Sequence, residues 1–186
     1  GDIITLTITA NEAVTALVCT IDGEATNMGG SGTAWTSALT LSGDETEQST
    51  VFSCASFIDA AGNAGVTDTS ATSGAVTVDL TDPTVAIDTI ATDGYISSAE
   101  SSSFVITGTA IGADGQTVTV GYGGVTETGT VSSNAWSITM CDDENCVASD
   151  GLQEVTANVD DAAGNSADVA STFASLDTVV PTVTIS

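Results

Sequence analysis

The side chains that could do chemistry in this sequence are almost all carboxylates. Among 186 residues there are 25 Asp and Glu but no Lys, Arg or His, so the formal net charge is −25. Nucleophilic and metal-hydrolase sites usually use His or Lys as base or ligand, so we do not expect an enzyme. Without cationic side chains the chain cannot replace counterions on a phosphate backbone or be attracted to anionic lipids. Nucleic acid and anionic membranes are therefore excluded as partners.

Two interpretations of this acidity are open. The charge can serve solubility in salty water, because like charges repel one another and keep chains apart. It can also serve to bind divalent cations, because Ca²⁺ takes six to eight oxygen ligands, chiefly carboxylates and carbonyls. Calcium is the cofactor predicted under the second interpretation, although the sequence contains no EF-hand motif.

The four cysteines fall as one pair in each half of the chain, Cys19 with Cys54 and Cys141 with Cys146. An even number divided in this way predicts disulfides and an oxidising, extracellular setting. A zinc site is the alternative, but two cysteines with four residues between them and no His match it poorly. Counting the alternation of side chains from the turns places Cys19 inward and Cys54 outward, so their bond would require a bulge.

A repeated segment organises the elements that must position these side chains. Residues 79–88 (DLTDPTVAID) return almost intact as residues 177–186 (DTVVPTVTIS), with the two prolines 181 − 83 = 98 residues apart. Each copy predicts an acidic linker, a proline and then an alternating Val/Ile strand. The spacing suits one small β domain, so the sequence predicts a tandem repeat.

Short strands with frequent turn signals predict β-sandwiches along the whole chain, and no stretch shows helical periodicity. Trp35 and Trp136 fall on matching strands, 136 − 35 = 101 residues apart, and are expected in the core rather than on a sugar-binding face. Residues 11–13 are expected to turn the chain after the first strand. The glycine-rich residues 29–32 are expected to form a flexible loop.

Several segments resemble bacterial Ig-like domains of giant extracellular repeat proteins of the adhesin and biofilm type. They are residues 1–14 (GDIITLTITANEAV), the Asp-Ala-Ala-Gly-Asn loops at 59–63 and 161–165, and the two Pro-Thr-Val segments. The cysteines and the absence of Lys and Arg depart from the pattern of that family.

The resemblance implies an all-β fold of two tandem Ig-like β-sandwiches, the first of which lacks its own first strand. The expected domains are residues 1–80 and 81–176. Residues 177–186 are expected to be a linker and the first strand of a following domain or subunit. The resemblance also implies an extracellular or cell-surface location.

In an Ig topology, the loop after the sixth strand lies at the end where the chain enters the domain, and similar joints in the family bind calcium. Both points imply a calcium site that stiffens the joint between the two domains. The candidate ligands are Asp79, Asp82, Asp114, Asp160, Asp161 and Asn165. The alternative is that Asp-Ala-Ala-Gly-Asn is only a turn, whose Asp accepts hydrogen bonds from nearby backbone N–H groups.

Three functions follow from this interpretation. The first is a structural module of an extracellular surface protein or fibre, in contact with neighbouring repeats or other copies of itself. The second is a filament subunit that donates the strand of Pro181, Val183 and Ile185 to the next subunit, unless that strand begins a further repeat of a longer chain. The third is an adhesin tip that binds a cell surface or a carbohydrate, which requires an exposed aromatic patch.

Overall fold

The computed structural model describes residues 2–72, 74–141 and 148–185 of the chain. Within these ranges the secondary structure consists of strands and turns without a helix, which confirms the all-β prediction. The chain divides into two compact units, Gly1–Leu80 and Thr81–Ser186. No described segment forms an apolar helix of membrane-crossing length.

The first unit contains eight strands in its described part. They are β1 (Ile3–Thr15), β2 (Val18–Ile21), β3 (Glu24–Ala25), β4 (Asn27–Thr40), β5 (Gln48–Ser49), β6 (Phe52–Ala55), β7 (Ile58–Asp59) and β8 (Thr77–Val78). β1 is the central strand of a sheet of order β4-β1-β7, and β2 is central in a sheet of order β3-β2-β6, while β5 pairs with β8. The buried apolar side chains form two small clusters, one around Ile21 and one around Cys19.

Two expectations for β1 and β4 are wrong. Residues 11–13 do not turn the chain, because β1 continues through them to Thr15. Residues 29–32 are not a flexible loop, because they lie within β4. Both errors have the same cause, an irregularity in the pairing of these two long strands.

The irregularity is a bulge between β1 and β4. Thr9 pairs with Ala34, whereas Val14 pairs with Gly32, so β1 has the greater number of residues between the two pairs. Gly30 allows β4 to follow the bulge, since its φ is 96° and a Cβ there would lie 2.3 Å from the Ala34 carbonyl oxygen. The sequence pattern predicted that these glycines would end the strand, whereas β4 continues through them.

The second unit also contains eight strands in its described part. They are β9 (Thr84–Ile90), β10 (Tyr95–Ser97), β11 (Phe104–Ile111), β12 (Thr117–Tyr122), β13 (Val125–Thr130), β14 (Ala135–Met140), β15 (Gly151–Val159) and β16 (Ala170–Asp177). One sheet has the order β10-β16-β15-β12-β13 and the other β14-β11-β9. Buried side chains alternate along β11, β12 and β14, and the inward residues of both sheets share one core. This arrangement is a β-sandwich.

One strand of the second unit was missed in the sequence. β10 lies in the segment that the pattern predicted only as a long connection, and it pairs in parallel with β16. Three residues are too few to display a period of two, and Ile96 is the one member that is buried.

The sheets around the two tryptophans have corresponding registers. Trp136 of β14 lies opposite Gly108 of β11, and Trp35 of β4 lies opposite Ile8 of β1. β1 in the first unit therefore corresponds to β11 in the second.

The two strands differ at their other edge. In the second unit, β9 pairs with β11 from Ile106 to Ile111. In the described part of the first unit, β7 pairs with β1 only at Val14 and Thr15, and no strand pairs with that edge of β1 between Ile3 and Thr9.

Candidate functional site

The Asp-Ala-Ala-Gly-Asn loop of the second unit is closed by its own aspartate. Oδ1 of Asp161 accepts hydrogen bonds from the N–H groups of Ala163, Gly164 and Asn165 at 2.8, 2.7 and 2.9 Å. Oδ2 accepts one from Nδ2 of Asn165 at 2.9 Å. The Asn165 side-chain amide is the main cause of a lowered pKa of Asp161, and the backbone N–H groups add to it.

The corresponding loop of the first unit has nearly the same geometry. Oδ1 of Asp59 accepts hydrogen bonds from the N–H groups of Ala61 and Asn63, both at 2.8 Å, and Oδ2 accepts one from Nδ2 of Asn63 at 2.7 Å. The Asn63 amide lowers the pKa of Asp59. In both loops, each carboxylate oxygen takes part in forming the turn, as the turn interpretation expects.

The other predicted calcium ligands of the second unit lie in separate hydrogen bonds. Oδ1 of Asp160 accepts a hydrogen bond from the Ser166 hydroxyl at 2.6 Å, and Oδ1 of Asp114 accepts one from the Asn134 N–H at 2.6 Å. Asp161 is the one candidate ligand that is both buried and bonded to another candidate, Asn165.

The linker candidates fall on different units, since Asp79 belongs to the first and Asp82 to the second, and both are exposed. Across the described ranges, no group of three or more acidic or cysteine side chains could hold a metal ion. The calcium site therefore stays a prediction.

A carboxylate that the sequence did not single out makes a similar cap. Glu45 accepts hydrogen bonds from the N–H groups of Ser42 at 2.6 Å and Gly43 at 2.8 Å. The Ser42 N–H is the main cause that lowers the pKa of Glu45 to about 2. The Ser-x-x-Glu spacing was the available signal. Because the chain has no cationic side chains, backbone N–H groups take the place of salt-bridge partners at these acids.

The structure contains a disulfide between Cys19 of β2 and Cys54 of β6. The two residues are direct partners in the antiparallel pair, with a Cα–Cα distance of 4.1 Å, and both are buried. The outward placement of Cys54 is therefore wrong. It assumed one strand over residues 51–58, whereas β6 ends at Ala55 and Ser56 has a φ of 57°, which breaks the alternation.

The structure describes one member of the second cysteine pair. Cys141 is buried at the end of β14, whereas Cys146 lies outside the described residues. The Cys141–Cys146 disulfide stays a prediction.

The tryptophans are placed differently in the two units. Trp136 is only 4% exposed and donates its indole N–H to the Thr109 carbonyl at 3.1 Å. Trp35 is partly buried and donates to the Gly32 carbonyl at 3.0 Å. Trp136 is thus a core residue. The exposed aromatic side chains of the second unit include Tyr95 on β10 and Phe173 on β16.

The residues predicted for strand donation lie after β16. Pro181, Val183 and Ile185 belong to residues 178–185, which have no strand assignment, and Val183 and Ile185 are 90% and 95% exposed. The backbone of this segment is tied to the second unit near its start, where the carboxylate of Asp150 accepts hydrogen bonds from the N–H and hydroxyl of Thr178.

The Asp161 loop gives a pH-dependent prediction. A lowered pKa means that the carboxylate stabilises the fold fully above its ordinary pKa of 3.8, and that this contribution is lost as the pH falls below it. Asp161→Asn should lower the melting temperature of the second unit by several degrees at pH 7. It should also flatten the decrease in melting temperature between pH 4 and pH 2.

Asp168→Asn is the matched control, since it removes one exposed carboxylate of the same unit. Calorimetric melting of both variants measures the difference. Equal melting temperatures for the two variants at pH 7 would contradict the turn-closing role of Asp161.

Neither a protein-family model nor a curated protein sequence matches the chain. The similar solved structures include adhesin domains and fibronectin(III)-like modules. A structure from a 1.5-MDa bacterial ice-binding adhesin, in work on host cell surface retention, is 21% identical with a TM-score of 0.47, over 96% of this chain and 59% of that one. A tetra-tandem repeat from the extending region of a large adhesion protein is 20% identical with a TM-score of 0.43, over 91% and 45%.

Fibronectin(III)-like modules of CbhA from Clostridium thermocellum are 14% identical with a TM-score of 0.42, over 95% of this chain and 87% of that one. The chain thus spans about three fifths of the ice-binding adhesin structure. These structures are adhesin repeats and fibronectin III-like modules. Identities and TM-scores this low assign no function.

Proposed function

We propose that this chain is a structural module of an extracellular surface protein or fibre, made of two tandem Ig-like β units that act as a spacer. Its partners would be neighbouring repeats or other copies of itself. A surface or carbohydrate target would be contacted by the exposed aromatics Tyr95 and Phe173.

The observation that carries this proposal is the Cys19–Cys54 disulfide at the centre of a sparse core. The buried clusters of the first unit are small, so the covalent bond between β2 and β6 supplies stability that packing alone does not. Such structural disulfides persist in oxidising compartments and are rare in the cytosol. The absence of His, Lys and Arg supports a structural rather than a catalytic role.

Electron microscopy of the source cells with gold-labelled antibodies against the chain tests this proposal. We expect label on the cell surface or on extended surface structures. Label confined to the cell interior would contradict it.

We propose further that calcium binds at the joint. The support for this is the net charge of the chain, not a set of ligands that already lie together in the described residues. A net charge of −25 without compensating cations favours cation binding wherever carboxylates gather. Asp160 and Asp114 use Oδ1 for their hydrogen bonds in the described part of the chain, and a carboxylate offers about four lone-pair sites. Together with the linker acids Asp79 and Asp82, they are the carboxylates we propose for the ion.

Calcium should raise the melting temperature relative to the chelated protein. A ligand at 100 times its dissociation constant stabilises by about 2.7 kcal/mol, which a calorimetric scan detects readily. Asp79→Asn with Asp82→Asn should abolish most of this increase, whereas Asp2→Asn with Asp44→Asn removes the same charge elsewhere and should preserve it. Scans at constant ionic strength separate binding from screening. An unchanged melting temperature in calcium would rule out this part of the proposal.

A further inference from the structure

The second unit shows what occupies the edge that is open in the first. β9 lies antiparallel to β11, with Val85 opposite Ala110 and Ile87 opposite Gly108. Val85 and Ile87 pack against the core of that unit from this position. The strand thus closes a sheet edge and covers part of the core at the same time.

The corresponding edge in the first unit is apolar on its core side. Ile8 corresponds to Gly108, because each lies opposite the tryptophan of its unit, and Ala10 corresponds to Ala110 two residues further along the strand. Leu6, Ile8 and Ala10 are only partly buried. Within the described ranges, no strand pairs with the edge of β1 from Ile3 to Ala13 on the side away from β4.

The chain itself contains a second segment of the β9 type. Residues 181–185 (PTVTI) match residues 83–87 (PTVAI) at every position but one. In the segment after β16 these residues form no strand, and Val183 and Ile185 are almost fully exposed. An alternating apolar strand and an unpaired sheet edge are the two halves of a β-augmentation contact.

We propose that the open edge of β1 accepts residues 181–185 of a second copy of this chain as an added antiparallel strand, with Val183 opposite Ala10 and Ile185 opposite Ile8. This register copies the pairing of β9 with β11. The residues of β1 take the places of the corresponding residues of β11, and residues 181–185 take the places of residues 83–87. Val183 and Ile185 would then cover the exposed side of Ala10 and Ile8. The donor and acceptor surfaces differ, so the contact is heterologous and can continue from copy to copy.

Charge sets the conditions for this contact. Each copy carries a formal charge of −25, so two copies repel one another at low ionic strength. In about 1 M NaCl the Debye length falls to about 3 Å, and the contact should form more readily. A chelator in the buffer separates this experiment from the calcium proposal, so either proposal can fail while the other stands.

Disulfide trapping tests the register directly. Thr184 would lie opposite Thr9, as Ala86 lies opposite Thr109. The Thr9→Cys and Thr184→Cys variants of the full chain, mixed and oxidised mildly, should give a cross-linked dimer on a non-reducing gel. Thr5→Cys mixed with Thr184→Cys is the control, because Thr5 lies on the same face of β1 but four residues away. An excess of a peptide with the sequence of residues 177–186 should block the dimer.

The apolar contacts are tested in the same assay. Adding Val183→Asp and Ile185→Asp to the Thr184→Cys chain should lower the rate of cross-linking by about tenfold or more, because two apolar side chains no longer become buried. Val179→Asp with Val180→Asp adds the same charge to the same exposed segment, outside the part that matches β9, and should leave the rate nearly unchanged. Equal dimer yields for the Thr9→Cys and Thr5→Cys mixtures, or equal effects of the two Asp pairs, would overturn the proposal.

Discussion

Replacing Cys19 and Cys54 by alanine should lower the free energy of unfolding of the first unit by about 4 kcal/mol. The two cysteines are 35 residues apart in the sequence, and the entropy of a loop of that size gives this value in the chain-entropy model. A domain of ordinary stability has a margin of about 5–15 kcal/mol. The first unit has only small buried clusters around this bond, so the loss should leave it unfolded for a substantial fraction of the time.

The two tryptophans make the measurement specific to one unit. In a Trp136→Phe background, Trp35 is the one tryptophan left and its fluorescence follows denaturant unfolding of the first unit alone. Cys141→Ala with Cys146→Ala is the control, because it removes two cysteines from the other unit and should leave the unfolding midpoint of Trp35 fluorescence unchanged. An unchanged unfolding midpoint of Trp35 fluorescence after removal of Cys19 and Cys54 would contradict the importance of this bond.

Trp136→Ala should lower the free energy of unfolding of the second unit by about 3–5 kcal/mol, the usual cost of removing a large buried aromatic side chain. Gly108 leaves room for the indole ring, since a Cβ at that position would lie 2.2 Å from Cζ2 of Trp136. The loss would therefore open a cavity beside a backbone that has no side chain with which to fill it. Calorimetry of the full chain measures the effect as a lower melting transition of the second unit.

Trp35→Ala is the matched variant in the first unit. Ile8 stands where Gly108 stands in the second unit, and Trp35 is only partly buried beside it. Its removal should cost less than half as much as the removal of Trp136. A cost for Trp35 equal to that for Trp136 would show that the open edge of β1 does not weaken the packing of the first unit.

The sequence was sufficient for the parts of the fold that depend on local alternation. β11 and β14 have the period of two that their residues predict, and Trp136 is in the core as expected. It was insufficient where one residue changes the backbone direction. No pattern of apolar residues predicts the φ of 57° at Ser56. Because of it, the Cys54 side chain points inward and not outward as predicted. The bulge between β1 and β4 is also absent from the pattern of apolar residues, and the predictions for residues 11–13 and 29–32 were wrong for that reason.

The two predictions for the candidate site, a turn and a calcium site, depend on tertiary structure to different degrees. The Asp-Ala-Ala-Gly-Asn motif encodes its own turn, because all the hydrogen bonds of Asp161 fall within four residues. A calcium site needs carboxylates from distant loops, and sequence spacing cannot say which of them meet. Glu45 could have been found from its Ser-x-x-Glu spacing, since that contact is also local.

The bond between β2 and β6 also sets how far the first unit can lengthen under tension. A chain pulled from both ends takes up about 3.5 Å per residue once its strands separate. The disulfide prevents the 35-residue interval from Cys19 to Cys54 from being stretched. The extended length of the unfolded first unit is therefore shorter by about 120 Å. A spacer made in this way would give limited extension when its first unit unfolds, because the interval between the two cysteines bears no tension.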